Sequence, residues 1–118
     1  MTAPQLHQYL AQLRLPLHNE KELQAKLHDT MCRVFGADKI QREVWLNVDN
    51  IIDFMCFDGI GVEVKIKGNK RNIYRQCERY CMFTAVKDLI LITNVSMGMP
   101  QQLHGKDCYV LQLGRAWL

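Results

Sequence analysis

The stretch Ile51–Gly68 reads IIDFMCFDGIGVEVKIKG. It is rich in β-branched and aromatic residues and is broken once by Asp58-Gly59, so it predicts two paired strands, IIDFMCF and VEVKIK, joined by the turn DGIG. Three charges, Asp53, Glu63 and Lys65, interrupt this apolar run. Alternate residues of a strand share a face. Glu63, Lys65 and Lys67 therefore point one way while Val62, Val64 and Ile66 point into the core. Ile51, Asp53 and Met55 share a face on the preceding strand. A tight turn brings Asp53 close to Glu63 when the hairpin register joins those faces.

Upstream, IQREVWLNV from Ile40 alternates like a further strand and ends at the turn residues Asp49-Asn50, which completes an antiparallel meander. Two helices precede it. APQLHQYLAQLRL carries Leu6, Tyr9, Leu10 and Leu13 at helical spacing and stops at Pro16. HNEKELQAKLHDTMCRVFG places Leu23, Leu27, Met31, Val34 and Phe35 on one stripe. Asn19 is its N-cap, Glu22 sits at the capping-box position and Gly36 is its stop. Downstream, KRNIYRQCERYCMFTAV runs at helical period after Asn69. DLILITNV then reads as a strand covered on both faces, and CYVLQL as a last strand. The order α, α, β, β, β, α, β, β predicts one α/β domain over residues 1–118, a mixed sheet containing the meander and flanked by helices.

A chain of 118 residues suffices for one core. Its 48% hydrophobic and 23% charged residues are ordinary for a globular protein. No apolar run reaches membrane-spanning length and the N-terminus lacks a signal-peptide layout, so the expectation is a cytoplasmic protein without a membrane partner. Five cysteines without a CxxC pair read as small core residues, although Cys77 and Cys81 are spaced to share a helix face. Four scattered histidines form no ligand motif. Net charge is only +3, yet between Lys65 and Arg79 six cationic residues stand against Glu78 alone. A local patch of that kind is either a solvated helix face or the footprint of a polyanion.

Two neighbouring carboxylates repel unless a cation compensates them. Carboxylate oxygens with a backbone carbonyl are the hard ligands that Mg²⁺ prefers, and the carbonyl of Val64 lies between Glu63 and Lys65. Lys65, charged, cannot ligate but can hold a water or stabilise charge developing on a phosphate. The competing reading is an exposed Glu63–Lys65 ion pair of little consequence.

Asp53 followed by Gly61-Val62-Glu63-Val64-Lys65 resembles the signature of the PD-(D/E)XK nuclease superfamily, an Asp on one strand and Glu-X-Lys on the next. Gln76-Cys-Glu-Arg-Tyr80 is similar to the Gln-X3-Tyr motif of several branches, and the apolar strand LILIT follows that helix. The matching segment runs from Glu20 to Asn94. Ile52 stands where many members have Pro, and Asp49 is a rival to Asp53. In size the chain is most like archaeal and phage Holliday junction resolvases and small virus-type nucleases.

The resemblance implies a restriction-endonuclease-like core and Mg²⁺-dependent hydrolysis of DNA phosphodiesters, with Mn²⁺ as a substitute and 5′-phosphate and 3′-hydroxyl products. Asp53, Glu63 and the Val64 carbonyl would hold the metal, and Lys65 would position water. Glu22, or else Glu20, would assist from the preceding helix. Gln76 would contact a phosphate or Lys65. Lys67, Lys70, Arg71, Arg75 and Arg79 would neutralise phosphates, and Tyr80, one turn from Gln76, joins them unless it is core. With little chain beyond the core, branched or duplex DNA recognised by shape is the expected substrate. Symmetric cutting of a junction implies a homodimer, for which CYVLQLGRAWL, ending in Trp117 and Leu118, is the candidate interface or else a final core strand. The alternatives are a non-catalytic DNA-binding or assembly protein that keeps the fold, and a metal-free interaction module.

Overall fold

Side-chain caps start each of the three α-helices among the described residues. In the computed structural model, which describes residues 1–115, Thr2 and Gln5 form a reciprocal capping box at the head of α1 (Ala3–Leu10). Asn19 caps α2 (Glu20–Phe35) through its bond to the Glu22 N–H, and the Gly36 N–H bonds back to Cys32 at the other end. Asn69 accepts from the Arg71 and Asn72 N–H groups at the start of α3 (Lys70–Tyr80).

Two helices are shorter than their apolar spacing predicts. α1 ends at Leu10, and Leu13, Leu15 and Leu17 reach the core from irregular backbone. α3 ends at Tyr80 rather than near Val86. A helix rises about 1.5 Å per residue, so seventeen residues would span roughly 25 Å. The chain must instead return to the level of Gly59, whose carbonyl accepts from the Lys87 and Asp88 N–H groups where the next strand begins. Lys106 secures that return by donating to the Phe83 carbonyl at 2.9 Å and to the Val86 carbonyl.

Six strands form one mixed sheet in the order β1-β2-β3-β4-β6-β5. β1 (Ile40–Asn47), β2 (Asn50–Cys56) and β3 (Ile60–Lys65) make the antiparallel meander. α3 then crosses over to β4 (Asp88–Thr93), parallel to β3, and β6 (Lys106–Gln112) lies parallel to β4. The two-residue β5 (Gln102–Leu103) pairs with the start of β6 across a turn at His104-Gly105. It has too few residues to show a period in the sequence.

The sheet separates two apolar layers. α1 and α2 press Leu6, Leu10, Leu23, Leu27 and Met31 onto Phe54, Val62, Val64, Ile90 and Ile92. α3 presses Ile73, Cys77 and Tyr80 onto Met55, Leu89 and Leu91 on the other face. The continuous run of β4 is thereby covered on both sides. Val34, expected on the buried stripe of α2, is exposed: the stripe runs through Leu23, Leu27 and Met31 to Phe35, which packs on Tyr9 and Phe57. No described helix is long and apolar enough to cross a membrane. Of the candidate interface segment CYVLQLGRAWL, residues 108–112 lie in β6, inside the sheet, with Cys108 and Leu111 buried, whereas Trp117 and Leu118 lie outside the described residues.

Gly59 anchors the return from α3. Its φ of +124° disfavours any L side chain, and a Cβ there would sit 2.9 Å from the Ala85 carbonyl oxygen. Gly59→Ala is expected to cost about 2–4 kcal/mol, combining backbone strain with overpacking, as measured by urea unfolding.

Candidate active site

The ribbon formed by β1 and β2 turns over at Asp53. Ile40, Phe54 and Cys56 pack on the α1/α2 side, whereas Val44 and Ile52 pack on the α3 side. The switch falls at Glu43 and Asp53, where Glu43 has φ +55° and the ladder between Arg42↔Phe54 and Val44↔Ile52 is interrupted. The expectation that Ile51, Asp53 and Met55 share a face is corrected by this break. Met55 is buried against α3, Ile51 is exposed, and Asp53 stands at the switch between them.

β2 and β3 pair from Cys56↔Ile60 to Phe54↔Val62 and then separate. The same register carried one step further sets Asp53 opposite Glu63, and opposed residues lie side by side. In place of a further ladder rung, their side chains bridge the strands. The Asp53 N–H donates to Glu63 Oε1 at 3.0 Å, and the Val64 N–H donates to Asp53 Oδ2 at 2.8 Å. The next amide along the same edge, that of Ile66, donates to Glu20 Oε1 at 2.9 Å. A strand residue directs its N–H and C=O to the same edge, so the Val64 carbonyl faces this gap as well.

Glu63 is 2% exposed and carries the site's electrostatic tension. Burial, then the charge of Asp53, pushes its carboxyl up to about 8, against the pull of the Asp53 N–H, Lys65 and Tyr80. Asp53 is raised too, by burial first and by the charge of Glu20 last, while the Val64 N–H, Glu63 and Lys65 oppose the rise. Lys65 Nζ lies 3.6 Å from Glu63 Oε2 and its side chain is 28% exposed, so it borders the pair and reaches solvent. The Thr93 hydroxyl donates to the Lys65 carbonyl at 2.5 Å and fixes the backbone beneath it.

The Gln76–Tyr80 pair braces the site from within. The Tyr80 hydroxyl lies 2.8 Å from the Ile51 carbonyl and 3.1 Å from Glu63 Oε2, and its single proton can serve only one of them at a time. Gln76 Nε2 donates to the hydroxyl at 2.8 Å. Tyr80 is fully buried, which corrects its assignment as a DNA contact: the ring belongs to the α3 layer and only its oxygen serves the site. Gln76 likewise bonds Tyr80 rather than Lys65.

Of the two helix acids, the structure brings Glu20 to the gap. Glu22 is exposed and lies 3.0 Å from His18, away from the carboxylates. Glu20 is the first residue of α2 and points along the axis toward the end of β3, whereas Glu22 is rotated away by two residues of helix. Asp49 sits exposed in the β1–β2 turn, where its N–H bonds the Asn47 side chain, and is not among the groups bonded to Glu63. An open cleft lined by His18, Asn19, Glu20, Ile66 and Lys67 adjoins the gap.

Among the described residues, no three His, Cys, Asp or Glu side chains stand together as a metal site. The donor set here is two carboxylates and one carbonyl. That matches Mg²⁺, which is commonly held by one or two carboxylates and otherwise keeps water or substrate oxygens. A half-buried and a buried carboxylate, both held above their ordinary range chiefly by burial, are the electrostatic situation a divalent cation relieves.

Lys67, Lys70, Arg71, Arg75 and Arg79 are all exposed, and none forms an ion pair among the described residues. Arg79 Nε bonds the Asn50 side chain at 3.2 Å, tying α3 to the tip of the β1–β2 hairpin. His7 bonds the Val110 carbonyl and His28 stacks on Phe54, while His18 pairs with Glu22 and lines the cleft beside Glu20. The cysteines are free thiols, four of them buried. Compared with known proteins, the chain matches no family model, no curated protein and no solved structure.

Proposed function

We propose that this chain is a metal-dependent DNA endonuclease with a restriction-endonuclease-like core, acting on branched DNA. One observation carries the reading: at the point where β2 and β3 part, Asp53 and Glu63 each hold a backbone N–H of the other's strand, with Lys65 beside them. An inert surface ion pair does not require a carboxylate as deeply buried as Glu63. The topology supports the same reading, since an antiparallel meander followed by a helical crossover to a parallel strand places Glu-X-Lys at the sheet's open end.

Asp53, Glu63 and the Val64 carbonyl would hold Mg²⁺ or Mn²⁺, which supplies Lewis-acid polarisation of a phosphate oxygen and acidifies water. The chain's own groups do the rest. Lys65, one strand position from the Val64 carbonyl, orients the attacking water and offsets negative charge on the phosphate. Tyr80, backed by Gln76, keeps Glu63 aimed at the gap. Glu20 holds the Ile66 N–H and so fixes the backbone just past the end of β3. The exposed cations of α3 and of the segment before it seat the sugar–phosphate chain without reading bases.

Incubation with four-way, flapped, duplex and single-stranded DNA, in Mg²⁺ and in EDTA, tests the reading. Cutting that requires metal and disappears in Lys65→Ala supports it. Metal-independent binding without cutting would instead make the chain a DNA-binding or assembly protein. Arg75→Ala is expected to weaken binding alike for all sequences and to lower the slope of log affinity against log salt by about 0.9, read by fluorescence anisotropy.

A further inference from the structure

Beyond the turnover at Asp53, the β1–β2 ribbon continues as a hairpin whose two faces differ. Val44 and Ile52 lie on the α3 side. Trp45 and Ile51 stand opposite each other in the register and are 64% and 39% exposed; Val48, in the turn, is 76% exposed. These are large apolar side chains left to water in a strand pair at the sheet's edge. The hairpin is also joined directly to the candidate active site. Asn50 holds Arg79, and the Ile51 carbonyl and Glu63 share the Tyr80 hydroxyl.

A second copy of the chain is a poor occupant for this surface. Edge pairing through β1 is interrupted at its middle by the φ of +55° at Glu43, beside the charged Arg42. Three side chains also fall well short of the roughly 1,200 Å² that a stable interface buries. A nucleic acid suits it better. The hairpin's tip is bonded through Asn50 to a helix whose exposed face carries Lys70, Arg71, Arg75 and Arg79, so a phosphate chain held there passes beside the apolar side chains of the tip. What a planar aromatic offers a nucleic acid is stacking, which requires a base face that is not already covered. A continuous duplex offers none. A branch point does.

We infer that Trp45, with Ile51 and Val48, is a wedge that stacks on a base exposed at a DNA branch and so sets the structure preference of the adjacent site. This rests on the nuclease reading above and adds the group that selects the substrate.

The test compares wild type with Trp45→Ala, Trp45→Phe and Val48→Ser. Binding is measured in EDTA at low salt to a four-way junction and to an unbroken duplex, with 2-aminopurine at the branch. Trp45 is exposed, so unchanged thermal midpoints are expected. Trp45→Ala should weaken junction binding by about five- to 150-fold, the range spanned by stacking one base on an aromatic ring, and leave duplex binding within about twofold. Trp45→Phe should keep most of the affinity, and the 2-aminopurine signal change should be lost only in Trp45→Ala. Equal losses on both DNAs, or none on the junction while metal-dependent cutting persists, would overturn the wedge and leave the nuclease reading standing. A Trp45→Ala variant that turns a dimer into a monomer by sedimentation would assign the patch to self-association instead. Absence of any DNA binding by the wild type would remove both.

Discussion

Glu63→Gln is expected to abolish metal-dependent cleavage while leaving the metal-free protein as stable as wild type, or more so at alkaline pH. The amide keeps the shape of the carboxylate and can still accept the Asp53 N–H, so the bridge between the parted strands survives. It cannot become an anion. A hard divalent cation then faces Asp53 alone and loses several kcal/mol of favourable charge interaction, which corresponds to a fall in rate on the order of 10³-fold or more. Stability should move the other way because Glu63 ionises in a buried place beside another acid. Removing that ionisation relieves the repulsion. Glu63→Ala separates the two effects. It would lose cleavage and also leave the Asp53 N–H without its partner, at a cost of about 1–3 kcal/mol, while the Tyr80 hydroxyl keeps the Ile51 carbonyl. Single-turnover cutting of a junction and thermal midpoints in EDTA at pH 8.5 read both outcomes. Retention of cleavage within about tenfold by Glu63→Gln would remove Glu63 from the chemistry.

The sequence showed this site better than it showed the site's surroundings, and the reason is local geometry. Glu63, Val64 and Lys65 lie on one unbroken strand, so period-two alternation correctly put Glu63 and Lys65 on one face and Val64 on the other. Asp53 lies on a strand that changes faces, and alternation fails there. The residue that marks the break is Glu43, on a different strand, and a glutamate at positive φ carries no glycine-like signature. Glu20 and Glu22 are both early-helix acids with identical local chemistry. Which one reaches β3 is decided by how α2 lies on the sheet, a tertiary fact. Tyr80 was ambiguous between core and site because it is both: its ring fills the α3 layer while its oxygen touches Glu63. Trp45 gave no signal at all, since an aromatic in an alternating strand reads as sheet packing until the uncovered edge is seen.

Without a divalent cation, folding stability should fall as pH rises from about 5 to 8, and Mg²⁺ should remove that fall. The unfolded chain's Glu63 ionises near its ordinary value of 4.5, while the folded protein keeps the proton up to about 8. Across that interval the native state binds more protons than the unfolded state, so stability declines with pH. The contribution is fully present below the unfolded value and is lost as pH passes the folded one. Asp53 is displaced in the same direction and steepens the decline. Cys56 and Cys77, pushed by burial to about 12, stay protonated in the native state throughout this range and enter only above it, where unfolded thiols begin to ionise. Mg²⁺ held by the ionised pair would stabilise the fold increasingly as pH rises, reaching about 2.7 kcal/mol when the free ion is a hundredfold above its dissociation constant. Thermal midpoints at pH 5, 6, 7 and 8, in EDTA and in Mg²⁺, measure this directly. The double variant Asp53→Asn with Glu63→Gln, run in parallel, removes the background from every other titrating group. A metal-independent slope, or the same slope in the double variant, would mean that these two carboxylates neither hold the proton nor receive the cation.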